Sequence, residues 1–280
     1  MTVDRNQTES RLISQAISKV LDEGSVAALA TLIDATDETS NLAVGAKLLA
    51  DQSPNRIGSL GAADLDEAVA RQALTFLASR REAETFKVET IAPELEQYFG
   101  ASVLFERIEA EPRLVIAGAG HVGASLARLA ALVGYRVTLV DDRAEFVMRE
   151  LFALPSEDSI SLVVAMDWRD AICGAIGNGG GVSVAIVTRG HKQDEECLRS
   201  TIASSPDYIG MIGSKRRTNI VLDKLREEGA DENELKKVRA PIGLDIGAVS
   251  PEEVALAILA EIVSARRGGT GAPLSSWRRS

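Results

Sequence analysis

The segment LVIAGAGHVGASLARLAALVGYRVTLVDD, residues 114–142, limits this chain's fold more than any other. An apolar run (114–118) enters Gly118-Ala119-Gly120-His121-Val122-Gly123. A stretch with helical spacing leaves it (121–133), and a second apolar run (136–142) follows. Two strands joined by a helix must lie parallel, because the helix carries the chain back to the starting edge. The alternation continues with strand-like runs at 160–165, 183–188 and 208–213. Helical periodicity recurs at 194–203, 214–228 and 250–267. Strands that are apolar on both faces need cover on both faces. The expectation is an α/β chain whose residues 113–270 form a Rossmann-like parallel sheet with helices on both sides. The last helix carries a predicted capping box, Ser250 with Glu253, and Pro251 at its first position.

The first hundred residues follow another pattern. A helix is expected at 8–23, closed by Gly24, then a strand at 26–33 and a polar loop at 34–41. GAKLLADQ (45–52) reads as the partner strand, ending in the turn Ser53-Pro54-Asn55. A helix follows at 64–79 and an alternating strand at 84–91. This predicts a smaller α+β domain over residues 1–105. The charged stretch 106–112 separates it from the parallel sheet.

Composition narrows the function classes. The net charge is −10, so the chain as a whole repels nucleic acid and anionic membrane. The basic groups Arg80-Arg81, Lys215–Arg217 and Arg266-Arg267 are too short to make a nucleic-acid footprint. Cys173 and Cys197 cannot form a disulfide framework, and with His121 and His191 they supply too few ligands for a tetrahedral zinc site, so no metal site is expected. Neither a signal-like apolar run in MTVDRNQTES nor an apolar stretch of membrane length is visible, which predicts a cytoplasmic protein.

The candidate site lies where the strands end, since open α/β sheets bind ligands at the carboxyl ends of their strands. In the glycine turn, Gly118 permits the tight bend, Gly120 lets the backbone approach a phosphate, and Gly123 lets helix pack on strand. The free N–H groups of the helix start face an anion. His121 lies inside this fingerprint. Asp141, 23 residues after Gly118, stands where a carboxylate accepts from ribose hydroxyls. Arg189 and His191 follow the fourth strand, and Lys215 and Arg216 follow the fifth. These basic loops at one sheet edge of an acidic protein suggest an anionic ligand. The alternative for Lys215–Arg217 is a solvated first turn. Asp245 either closes over the crevice or caps a turn. Cys173 and Cys197 read as small core residues, and no catalytic residue stands out.

Four segments in order, the glycine-turn unit, TRGHKQDEECLR, YIGMIGSKRR and APIGLDIGAVSPEEVALAILAEIVSARRGG, together resemble the XdhC/CoxI family over most of 114–269. VGAKLLADQ with RIGSLGAADLDEAV is similar to that family's first domain. One departure matters: many members carry Gly-Gly-Cys near the place where this chain has Gly61-Ala62-Ala63-Asp64 and no thiol. The resemblance implies an accessory protein that binds molybdenum cofactor (molybdopterin), shelters it during sulfuration and inserts it into an apo molybdenum hydroxylase such as xanthine dehydrogenase. It implies a cysteine desulfurase as sulfur source, and a homodimer is a further expectation. Two readings of other classes stay open. One is an NAD(P)-dependent oxidoreductase of unknown substrate, which the position of Asp141 favours. The other is a nucleotide sensor without catalysis.

Overall fold

The computed structural model describes residues 2–35, 42–51, 56–79, 81–148, 159–177 and 179–275. The turn expected at 53–55, most of the polar loop expected at 34–41, and Arg80 lie outside them. The chain divides into two compact units, Met1–Ala110 and Glu111–Ser280.

The first unit contains α1 (Thr2–Glu23), β1 (Val26–Asp34), β2 (Lys47–Asp51), β3 (Arg56–Ser59), α2 (Ala63–Ser79), β4 (Ala83–Lys87), α3 (Val88–Ile91) and β5 (Ser102–Glu109). Its sheet is antiparallel with order β3-β2-β1-β5-β4. Side chains alternate across a strand, and β1 uses both faces. Ala27 and Leu29 pack with Ile13 and Val20 of α1. Ala28, Ala30 and Leu32 join the cluster containing Leu65, Val69 and Phe76 of α2. Phe105 of β5 meets Phe76 and Phe86 at ring-centroid distances of 5.6 Å each.

Two expectations for this unit are corrected. Residues 106–109 are not a separator but the second half of β5, beside the central strand. Val103 and Phe105 face the core, while the Arg107 guanidinium donates to the Leu77 carbonyl at the end of α2 and lies 3.7 Å from Glu109. The strand expected over 84–91 stops at Lys87, and Val88 begins one helical turn with its side chain buried. Residues 56–59, around Gly58, form strand β3. A Cβ at Gly58 would lie 2.3 Å from the Lys47 carbonyl oxygen, so only glycine lets β3 approach β2 there.

The second unit begins with β6 (Arg113–Ala117), α4 (His121–Leu132), β7 (Arg136–Asp141), β8 (Ile160–Val164), α5 (Trp168–Ile176) and β9 (Val182–Ile186). It continues with α6 (His191–Ser204), β10 (Tyr208–Met211), α7 (Lys215–Glu227), α8 (Glu232–Lys237) and α9 (Pro251–Arg267). All five strands are parallel, ordered β10-β9-β6-β7-β8. In chain order that is 5-4-1-2-3, the Rossmann arrangement with its reversal beside the first strand. Leu114 and Ile116 of β6 face a cluster with Leu126 of α4 and Ile258 of α9. Val115 and Ala117 face Ile172 of α5, Leu198 of α6 and Val221 of α7. The α/β class and two-sided cover are as the sequence predicts. Helices α5 and α8 are absent from the sequence reading, being nine and six residues long, too short for a clear helical period.

Candidate functional site

Strand β6 ends at Ala117 and the chain turns directly into α4. Gly118 takes φ +110°, and a Cβ there would lie 2.7 Å from the Val187 carbonyl oxygen at the end of β9. A Cβ on Gly123 would lie 1.8 Å from the Gly118 carbonyl oxygen. Gly120 differs. Its φ is −65°, and a Cβ there would meet nothing within 4 Å. Two of the three glycines therefore serve the protein's own packing, and the third opens onto space.

Asp141 holds this turn from the side. Its Oδ2 accepts the Ala119 N–H at 2.7 Å and the Arg143 Nη2–H at 3.0 Å. Its Oδ1 accepts the Arg143 backbone N–H at 3.0 Å and the Nε–H at 2.9 Å. A carboxylate offers about four lone-pair sites, so none remains for a ribose hydroxyl. The carboxylate expected at a ribose is here engaged by the turn itself and by Arg143. A buried carboxylate needs partners, and the turn amide and Arg143 supply all of them. Burial raises the Asp141 pKa, but the bonds from Arg143 and Ala119 outweigh it and hold the group below its ordinary value. Arg143 is held above its own by the same carboxylate, and its guanidinium lies 3.7 Å from the centroid of Phe146.

β6 sits between β7 and β9, so residues following those two strands flank the turn on either side. They meet: Arg189 Nη2 lies 3.6 Å from Asp142 Oδ2. With Gly118, Gly120, Arg143, Trp168 and Gln193 they line a cleft of about 70 Å³. This is room for a phosphate-sized group.

Helix caps differ among the elements of this unit. Asp167 caps α5, Ser214 caps α7, Asp231 caps α8 and Ser250 caps α9, the last in the capping box the sequence predicts. Three helices begin beside the cleft: α5, whose first residue Trp168 lines it, is capped by Asp167, whereas α4 at Gly120 and α6 at Gly190 have no side-chain cap. Helix starts leave N–H groups without intrahelical partners, and an anion in the cleft would receive them.

Beneath the β9 turn lies a buried acid. Asp194 is 0% exposed; it accepts the Thr188 hydroxyl and contacts the Arg217 guanidinium. Burial pushes its pKa up, against the pull of Thr188 and Arg217. Arg217 is thus neither a solvated first-turn cation nor a ligand-facing one, but the partner of Asp194.

Of the residues expected at the site, Gly118, Gly120, Asp141 and Arg189 line the cleft, and Gly123 packs under Gly118. His121 and His191 are exposed first residues of the two uncapped helices. Lys215 and Arg216 open α7; Arg216 is exposed and is not among the cleft-lining residues, and the Lys215 side chain lies outside the described residues. Sequence reasoning missed Asp142, Arg143, Trp168 and Gln193. Only Asp142-Arg143 had a visible signal, a charged pair directly after a strand. Among the described residues, no group of three His, Cys, Asp or Glu side chains is arranged to hold a metal ion. No helix there is long and apolar enough to cross a membrane.

The profile described as the XdhC Rossmann domain matches residues 114–262, just over half of the chain. The chain belongs to the XdhC/CoxI family. A profile for the XdhC and CoxI family also matches residues 20–89. This XdhC/CoxI protein is 34% identical over 165 residues to the protein YqeB of Escherichia coli, the match covering 57% of this chain and 28% of that one. It is 29% identical over 166 residues to a protein of Bacillus subtilis described as a probable component of xanthine dehydrogenase, covering 59% and 46%. It is 36% identical over 69 residues to the molybdenum cofactor insertion chaperone PaoD of Escherichia coli, covering 25% and 22%. The matches therefore span less than half the length of each of these relatives. A crystal structure described as a xanthine dehydrogenase from Bacillus halodurans superposes with TM-score 0.59 at 18% identity, covering 95% of this chain and 68% of that one; the likeness is one of fold.

Proposed function

We propose that this XdhC/CoxI protein is an accessory protein that binds molybdenum cofactor by its phosphate at the glycine turn and passes it to an apo molybdenum hydroxylase. The observation that carries the reading is the open space above Gly120, at an uncapped helix start and facing Arg189. Kinship to the family and the partial match to an insertion chaperone support the choice of ligand. The cofactor's phosphate would take the first N–H groups of α4 and the Arg189 guanidinium, which would leave Asp142 to do so. Its ring would lie outside the 70 Å³ cleft. The group itself, when bound, supplies the redox chemistry that the target enzyme uses. This chain's residues hold and orient it. His121, His191, Lys215 and Arg216 belong to the proposed rim, as do sulfuration by a cysteine desulfurase, a cytoplasmic setting and a homodimer to the proposed cycle. Against the dehydrogenase alternative stands the engagement of both Asp141 oxygens by Ala119 and Arg143.

The test is equilibrium binding of molybdenum cofactor to the purified chain and to Gly120→Asp, with NADH as competitor. Tight binding that the substitution abolishes, and that NADH does not displace, is expected. Binding of NADH with no cofactor binding would overturn the reading in favour of a nicotinamide-dependent enzyme.

A further inference from the structure

The cleft at the glycine turn is lined by two carboxylates, Asp141 and Asp142, and two guanidinium groups, Arg143 and Arg189, so its own charges cancel. A cleft that gathers an anion ordinarily shows a surplus of positive charge. The balance here has a definite source.

The four groups are not equally committed. Asp141 and Arg143 are joined by two side-chain hydrogen bonds, at 2.9 and 3.0 Å, and the Asp141 side chain is only 3% exposed. That pair also carries the Ala119 amide, so it belongs to the frame of the turn. Asp142 and Arg189 are held loosely. Asp142 Oδ2 lies 3.6 Å from Arg189 Nη2, beyond hydrogen-bond reach, and the side chains are 31% and 52% exposed. Asp142 Oδ1 is also 3.9 Å from Arg143 Nε, but that N–H is already given to Asp141. Asp142 follows β7 and Arg189 follows β9, so their contact joins the two flanks of the cleft.

A carboxylate offers a guanidinium the same charged oxygens as a phosphate does. Asp142 thus engages Arg189 in the way a ligand phosphate would. Half-exposed ion pairs are weak, and a phosphate monoester carries nearly two charges near neutral pH, so an entering phosphate displaces the carboxylate. The displaced group cannot go far. Its chain neighbour Asp141 is fixed by four hydrogen bonds, which keeps Asp142 beside the bound anion, where like charges repel.

We propose that Asp142 is an internal competitor for the ligand's phosphate. It holds Arg189 until a ligand arrives, and it raises the rate at which a bound phosphate leaves. A protein that must surrender its ligand gains from an affinity below the maximum its cations allow, and Asp142 sets that limit. The inference rests on the reading that the glycine turn binds phosphate, and its test separates the two.

The experiment measures binding of molybdenum cofactor, and separately of inorganic phosphate, to the full chain, Asp142→Asn, Arg189→Ala, the double variant and Gly120→Asp. Removing the competitor strengthens binding of both probes by about fivefold or more and slows cofactor dissociation by a similar factor. A residue that merely supports the fold would give no such gain. In the Arg189→Ala background the gain from Asp142→Asn falls to about twofold or less, the part due to repulsion alone. Unchanged or weaker binding in Asp142→Asn, or an equal gain with and without Arg189, overturns the competitor; loss of binding in Gly120→Asp then leaves the glycine-turn reading standing. Binding that survives Gly120→Asp, or no binding of either probe to the unmodified chain, overturns that reading and this inference with it. Thermal unfolding of each variant separates a lost affinity from a lost fold.

Discussion

The Asp141 carboxylate accepts the Ala119 amide at 2.7 Å, so the end of β7 holds the middle of the glycine turn that follows β6. Twenty-two residues separate the two in sequence. The bond explains why the turn can present Gly120 to open space without a side-chain cap of its own. Its neighbour Ala119 is tied down, and Gly118 and Gly123 are locked by backbone contact.

Asp141→Asn is therefore a stability variant. It leaves Arg143 with Asp142, at 3.9 Å, as its nearest counter-charge and replaces one acceptor by a donor facing the Ala119 N–H. Breaking a buried pair costs about 3 kcal/mol, to be read as a lower urea midpoint at unchanged slope. The pH dependence has a definite sign. A carboxylate held below its ordinary pKa contributes stability that is complete above the ordinary value and is lost as pH falls through the folded one. Acid unfolding below about pH 4 should be shallower in Asp141→Asn than in the unmodified chain. Equal acid limbs, with affinity for a ribonucleotide lost while affinity for inorganic phosphate is kept, would return Asp141 to the role of ribose acceptor.

The glycines of the turn should separate by alanine substitution. Gly120→Ala folds with unchanged stability, since its φ suits any residue and its Cβ meets nothing. Gly123→Ala drives a methyl into the Gly118 carbonyl and loses about 1–3 kcal/mol by overpacking. Thermal melts of the two variants check this. A destabilised Gly120→Ala would mean that the space above the turn is filled by the protein itself.

Thiol accessibility tests the packing of α6. Cys197 is fully buried and burial pushes its thiol pKa far up, whereas Cys173 is half-buried in a groove between α5 and α6. Titration with a thiol reagent should find one group reacting quickly in the native protein and two in urea. Two equally fast thiols under native conditions would contradict the cluster around Cys197 and Leu198.

The strand–helix alternation from 114 onward could be read directly because the inner strands bury both faces and each long helix buries one. Those habits leave local patterns of period two, of unbroken apolarity, or near four. β5 escaped because its charged half, Glu106 to Glu109, is stabilised by partners elsewhere in the chain, among them the Leu77 carbonyl. α5 escaped because its nine residues begin at a Trp and hold too few turns to repeat. In the site, the fingerprint glycines were visible because backbone geometry restricts which residue can stand there.

Sequence by itself determined the parallel sheet, the position of the glycine turn and the family, all of which depend on short-range periodicity and on residues that only one backbone shape accepts. Tertiary structure decided which charges are free. The same Asp that spacing suggests for a ribose is saturated by Ala119 and Arg143. The same Arg217 that looks solvent-facing pairs with buried Asp194, while Arg189, expected to face a ligand, already meets Asp142. A charged side chain's role depends on who reaches it in space, and that distance is not written in the local pattern.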